Sequence, residues 1–256
     1  MNTKLIVCSI LAASSGLLQA QTTPASSSLE FNASVVSDYR YRGISQSASK
    51  PALQAGVDFA AESGVYVGAW ASSINWIKDT APSAAYNVKG PVEVDLYGGY
   101  KTTLSNGITL DVGVLQYWYP SNNLTNVPLN QNPNTTEVYV AASSGPFSVK
   151  LSDSVTTLFG QMNSKGSRYL DLNYAVELGN DLTLTPHLGN QSVANNPVSY
   201  SDYAVTLTQG LASKLSVSAT IISTNYKSLH QAYTLPGSGA KDLANSSFIV
   251  GLKKIF

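Results

Sequence analysis

The sequence predicts an all-β fold: a transmembrane antiparallel up-and-down β-barrel of about twelve strands behind a cleaved signal peptide. Three observations carry this expectation. Apolar and polar residues alternate with period two along most of the chain. The connections between the alternating segments are short and long in strict turn. The last alternating segment ends on an aromatic residue, Phe256.

The N-terminus reads as a signal peptide over residues 1–20. Lys4 supplies the positive start, Leu5 to Leu18 is apolar with small residues interspersed, and Ala20 precedes Gln21, the expected first mature residue. That apolar stretch is too short and too rich in Ala and Ser to span a bilayer as a helix. The single cysteine, Cys8, falls inside it, so no disulfide or thiolate-ligated metal is expected in the mature chain. A short segment, 21–28, leads into the barrel at 29–256. Tyrosine is abundant at 15 residues, while charged residues make up only 12 %, about half the usual share. Removing Lys4 leaves a net charge of about −1, which offers no basic surface for nucleic acid. No further apolar run is long enough for a spanning helix.

The strands follow in order. Leu29–Tyr41 alternates Leu29, Phe31, Ala33, Val35, Tyr39 and Tyr41 against Glu30, Asn32, Ser34, Asp38, Arg40 and Arg42 just beyond. Leu53–Ala61 sets Leu53, Ala55, Val57 and Phe59 against Gln54, Gly56 and Asp58. Val65–Ala71 is a less pure case. Pro91–Lys101 sets Val92, Val94, Leu96 and Tyr100 against Glu93, Asp95, Tyr97 and Lys101. Ile108–Trp118, Thr136–Ala142, Phe147–Val155 and Arg168–Leu178 continue the pattern, followed by Leu182–Leu188, Asp202–Thr208, Leu215–Ser223 and Phe248–Phe256. Short turns carry Glu62-Ser63-Gly64, Ser105-Asn106-Gly107, Ser144-Gly145-Pro146 and Gly179-Asn180-Asp181, with Asn-Gly a favoured hairpin pair. The long connections are rich in Asn, Ser, Pro and Gly. An even strand count with short turns at one end and long loops at the other is the pattern of bacterial outer-membrane barrels, with both termini in the periplasm. A soluble sandwich or lipocalin-like barrel is the alternative, with its apolar faces turned inward.

The final strand places Phe248, Val250, Leu252 and Phe256 on one face, similar to the C-terminal signal read during assembly of such barrels, although Lys254 departs from it. The expected partners are therefore outer-membrane lipid, the barrel-assembly machinery through this strand, and small solutes. Two stretches, SDYRYRGISQS (37–47) and SGVYVGAWASS (63–73), sharpen the resemblance. With the signal peptide and terminal Phe, the chain resembles the TorF-type porin family, proteobacterial outer-membrane β-barrels of unknown function. The resemblance implies a barrel of the outer membrane and brings no catalytic residues with it.

If the apolar face meets lipid, the other lines the lumen. By parity the lumen receives Glu30, Asp38, Arg40, Arg42, Asp58, Glu62, Glu93, Asp95, Lys101, Asp111, Glu137, Lys150, Asp171, Glu177 and Lys253, ten acids and five bases. Charges are costly against lipid, so this sorting is physically expected. Tyr39, Tyr41, Tyr100 and Trp118 are candidates for the aromatic girdles. Two interiors are compatible with the pattern. A water-filled channel for small solutes or ions would be mildly cation-preferring, because acids exceed bases. A filled barrel would be closed by Arg–carboxylate networks with Tyr66, Trp70, Tyr97, Tyr117, Tyr119 and Tyr139. A barrel enzyme such as a lipid hydrolase is a further alternative, but His187 lies on the inward face without a serine in register, and His230 lies in the last long loop. An adhesin would use the longest loops, 120–135 and 225–246. No cofactor or metal is expected, since no phosphate loop, zinc spacing or carboxylate cage stands out.

Overall fold

The computed structural model describes residues 26–256. The expected signal peptide and most of the segment after it lie outside the described residues. Twelve strands form one antiparallel sheet that closes on itself. They are β1 (Ser28–Val36), β2 (Ala52–Ala60), β3 (Val65–Ser73), β4 (Val92–Thr103), β5 (Thr109–Trp118) and β6 (Thr135–Ser144). The others are β7 (Phe147–Ser154), β8 (Arg168–Tyr174, resuming at Val176–Gly179), β9 (Leu182–Ser192), β10 (Tyr200–Leu211), β11 (Leu215–Thr224) and β12 (Ser247–Ile255). Each strand pairs with its chain neighbours, and the seam is β1 against β12, in register Ser34 to Lys253 and Val36 to Gly251. β8 is interrupted at Ala175 but stays paired with β9 on both sides of the break.

The two-residue alternation explains the wall. Leu53, Val67, Val112, Val140, Leu188, Val205, Ile221 and Val250 are all exposed on the outside, while Asp58, Asp95, Glu137, Thr185 and Asp202 are buried inside. This polarity is the reverse of a lipocalin-like barrel, whose apolar residues would face in. Short turns gather at one end. Asn180 and Asp181 both adopt positive φ (51° and 59°), the conformation of a type I′ hairpin, which matches the twist of the flanking strands. Longer connections gather at the other end and carry two single-turn helices, α1 (Trp76–Asp79) and α2 (Tyr226–Leu229).

Four cross-strand pairs join a glycine to an aromatic ring on the inner face: Gly56 with Trp70, Gly68 with Tyr97, Gly99 with Tyr66, and Gly113 with Tyr139. A Cβ at any of the last three would overlap the facing tyrosine. These glycines are therefore spaces that let large rings lie flat along a crowded inner wall.

The first strand is shorter than its alternation predicts. It ends at Val36 rather than Tyr41, where Ser37 caps it by exchanging hydrogen bonds with Val250 of β12 at 2.9 Å. The chain then turns into the barrel. Arg40–Tyr41 pairs with Ile44–Ser45 as a small ribbon, with Arg42 (φ 47°) and Gly43 (φ 80°) at its tip. Gly43 approaches Asp202 and Thr224 so closely that a Cβ there would collide with both side chains.

If the inner glycines are ring receptors, Gly113→Val should destabilise the refolded barrel by about 1–3 kcal/mol through overpacking. Urea unfolding would read the loss. Combining it with Tyr139→Ala should recover part of the loss; additive costs would refute the pairing.

Candidate functional site

The interior is organised around the inward ribbon. Its own polar groups hold it together: Ser45 Oγ donates to Asp38 at 2.5 Å, the Tyr39 amide donates to Ser47 Oγ at 2.9 Å, and Arg40 Nε meets Asp38 at 2.8 Å. Arg40 also donates to the carbonyls of Gly43 and Asn245, the latter in the last loop. Tyr39 donates its hydroxyl to Glu93 on β4 at 2.7 Å.

Arg42 reaches furthest. Its Nη2 donates to both carboxylate oxygens of Glu137 on β6 (2.9 and 2.7 Å), and Nη1 donates to Gln191 on β9 (2.7 Å). Its guanidinium lies 4.2 Å from the Tyr169 ring centre and 4.6 Å from that of Tyr41. Tyr200 donates to the Arg42 carbonyl at 2.9 Å. Arg42 and Glu137 are both almost fully buried, so the pair is a desolvated strut across the lumen. Around it Tyr41, Tyr117, Tyr119, Trp76 and Phe159 pack edge to face.

Most of the remaining charges pair along the wall. Tyr66 bonds both Asp111 and Tyr139, and Lys101 meets Asp111 at 3.5 Å. Tyr97 donates to Asp58, and Lys150 lies over the Tyr139 ring at 4.3 Å. His187 sits between Asp171 (3.2 Å from Nδ1) and Asp202 (2.9 Å from Nε2), with Asn173 and Tyr169 completing the set. A ring that carries both protons can donate toward Asp171 and Asn173 from Nδ1 and toward Asp202 from Nε2, while Tyr169 donates its own hydroxyl to Asp202. Asp95 differs: it is wholly buried, and neither of its carboxylate oxygens has a hydrogen-bond partner among the described residues.

Two cavities flank the ribbon. The inner one, about 160 Å³, is bounded by Asp38, Tyr39 and Arg40 above and runs along the β9–β12 side and β1. Its wall carries the hydroxyls of Ser34, Thr185, Thr206, Thr208, Ser216, Ser218 and Thr220, with Gln54 and Lys253, among apolar residues such as Ile222 and Ile249. The outer one, about 250 Å³, is bounded below by Tyr41, Ile44, Ser45 and Gln46 and above by the long loops. In those loops burial, aided by Tyr226, pushes the Tyr233 hydroxyl up to about 12, so it stays a neutral donor at ordinary pH.

Most predicted lumen residues do face in: Asp38, Arg40, Arg42, Asp58, Glu93, Asp95, Asp111, Glu137 and Asp171 are buried, and Lys101 and Lys150 half-buried. Glu177 is exposed at the short-turn rim, where Thr183 donates to it, and Glu62 is exposed in a short turn. Strand parity points both inward, but Glu62 lies in the turn beyond the wall, and Glu177, still paired with Thr183, sits in the last residues before a turn, where it is open to solvent. Tyr39 and Tyr41 are not girdle residues. Tyr39 is 1 % exposed and Tyr41 packs on Tyr117 and Phe159, because the chain has left the wall by Ser37. Tyr100 and Trp118 do face outward, as do Phe248, Val250, Leu252 and Phe256. Sequence reading missed Asp202 and Gln191 as partners and undervalued His187. Asp202 stood at the predicted start of its strand, where parity alone does not show whether a side chain is still held inside.

A model of Gcw_chp, a family of bacterial proteins of unknown function, matches residues 20–256. No curated protein matches the chain. Among solved structures, the KdgM porin is similar at TM-score 0.52 and 9 % identity, over 90 % of this chain and 99 % of that one. The NanC porin is similar at 0.51 and 11 % identity, over 88 % and 98 %. At such identities the likeness is one of fold.

Arg42→Ala should cost about 3–5 kcal/mol of barrel stability, because it leaves Glu137 buried and uncompensated. The double variant Arg42→Ala/Glu137→Ala should cost clearly less than the two single losses summed. A double-mutant cycle by urea unfolding reads the difference, and strict additivity would show that the strut is not an energetic unit.

Proposed function

The chain belongs to the Gcw_chp family, and from the barrel it forms we propose that it is an outer-membrane channel for small solutes. The observation that carries this is the inner cavity: a space inside an apolar wall that seven Ser and Thr side chains line, with the ribbon between it and the outer cavity. Apolar residues around the whole outer wall suit lipid, and closure leaves no unpaired sheet edge in it. Both terminal strands end at the short-turn side, which suits the periplasm. Two similar folds are named porins, and the resemblance to TorF-type porins points the same way.

The route lies off the barrel axis. The β3–β8 side is occupied by rings and paired charges, while the opposite side carries small hydroxyl residues. Ser and Thr hydroxyls both donate and accept, so they can replace part of a solute's hydration without selecting its charge. A cation preference does not form part of the proposal. Of the ten acids counted for it, Asp38, Asp111, Asp171 and Glu137 are held by basic partners, Asp58 and Glu93 by tyrosines, and Glu30 lies 3.8 Å from Lys214; Glu62 and Glu177 lie exposed at the short-turn rim, which leaves Asp95 as the one buried acid of the ten without a hydrogen-bond partner among the described residues. A lipid hydrolase is not favoured either: no Ser or Thr hydroxyl bonds either His187 nitrogen among the described residues. A filled, non-conducting barrel is the second reading, favoured by the Arg42 strut across the lumen.

Planar-bilayer recording separates the two. The wild type should show a small conductance, and Arg40→Ala/Arg42→Ala should raise it severalfold by loosening the ribbon. Silence from both would favour the filled barrel. A conducting wild type with an unchanged variant would show that the ribbon is not the constriction.

Recognition by the barrel-assembly machinery is a separate proposal. Phe256 is 66 % exposed, so it adds little packing. Deleting it should lower the amount assembled in cells while leaving the stability of protein refolded in vitro within about 0.5 kcal/mol. Equal losses in both would make its role structural.

A further inference from the structure

We propose that the outer cavity binds a neutral saccharide of one or two rings. A pyranose has faces of C–H bonds and a rim of hydroxyls, and the cavity offers a partner to each. Rings of Tyr41, Trp76, Phe159, Tyr200, Tyr226 and Tyr233 line it. Such rings cover apolar C–H surface; the hydroxyls of Tyr41 and Tyr200 are already bonded within the protein, which leaves those of Tyr226 and Tyr233 to face a ligand. Between them stand the amides of Gln46, Asn130, Gln161 and Asn196, groups that donate and accept and so match a hydroxyl in either sense.

Charge narrows the ligand class. No Asp, Glu, Lys or Arg lines this cavity, although the ribbon beneath it is rich in them. An ionic ligand would shed water there without meeting a counter-charge, which is unfavourable. A neutral polyhydroxylated ligand loses only hydrogen bonds, which the amides and tyrosine hydroxyls replace. Size narrows it again. About 250 Å³ lies below the roughly 300–1,000 Å³ of pockets that enclose drug-sized ligands, so a long chain would have to pass through rather than sit inside.

An independent observation points to a ligand oxygen. Trp76 lines the cavity, and its indole Nε1 is buried without an acceptor among the described residues. Buried indole N–H groups ordinarily find a partner, and one left without it needs a reason. The Tyr226 and Tyr233 side chains meet each other edge to face at 5.3 Å. Tyr226 also packs on Tyr200 and His230, so the outer rim of the cavity is a continuous aromatic surface. The proposal rests on the channel reading only for placing this site at the entrance; binding itself requires no conduction.

The test uses the full mature chain refolded in a polyoxyethylene detergent, which has no sugar headgroup to compete. Isothermal titration with cellobiose, maltose and diacetylchitobiose reads binding, with digalacturonate as the acidic comparison. At least one neutral disaccharide should bind saturably and more tightly than digalacturonate. Trp76→Phe keeps the ring and removes the N–H, and should weaken binding about three- to tenfold. Tyr233→Ala, on the loop rim, should weaken it as well, and circular dichroism should show both variants folded. Three results would each overturn the proposal: no saturable binding of any neutral disaccharide, wild-type binding by both variants, or equal or tighter binding of digalacturonate. Bilayer recording on the same preparation keeps the two readings apart. Conductance without binding defeats the saccharide site alone, whereas binding without conductance defeats the channel and leaves the site standing.

Discussion

The pairing of β1 with β12 is the interaction on which the rest of the structure depends. The outer wall is apolar along every strand, so a backbone N–H or C=O at an open edge would have no water to turn to in lipid. Joining the first strand to the last removes both edges at once. Closure then forces the polarity of the whole molecule. Once the outward face of each strand is apolar, the alternate residues have only the lumen to occupy, and the charges there find their partners inside, with Asp95 the exception.

The barrel satisfies those charges in two ways, which divides its interior. On one side large rings and ion pairs fill the space, seated on glycines that leave room for them. On the other, Ser and Thr make few demands and leave a cavity. Buried ion pairs are a poor source of stability but a strong determinant of geometry, because breaking one strands its partner. The Arg42–Glu137 strut fits that description: it fixes where the ribbon lies more than it holds the barrel together. The wall has its own, larger source of stability in continuous hydrogen-bonded ladders.

The ribbon makes the interior specific. A chain that continued in the wall would leave Asp38, Arg40 and Arg42 lining a wider lumen from one side. By turning inward after Ser37 it carries two guanidiniums into the lumen, where β4, β6, β9 and the last loop all bond the ribbon. Two compartments result. The outer is uncharged and aromatic, the inner carries hydroxyls and a few charged side chains, and a solute passing between them would meet different chemistry in turn.

The sequence by itself determined the wall. Period-two alternation marks which side of a strand each residue takes, and the spacing of turn residues marks where strands end at the short-turn side. Leu53, Val112, Tyr100, Trp118 and Phe248 were legible as outward residues for that reason, and Glu93, Asp95, Asp111 and Glu137 as inward ones. Alternation says nothing about where a strand leaves the sheet. Tyr39 and Tyr41 kept the period of β1 and still lie inside, because only the cap at Ser37 and the partners across the lumen decide that the chain turns in. Nor does alternation reveal which residues meet across a closed ring. Arg42 and Glu137 are far apart in sequence, as are His187 and its two aspartates from Arg42, and only the curvature of twelve strands brings them to one place. Local pattern sets the direction of a side chain; the partner it finds depends on closure, which is a property of the whole chain.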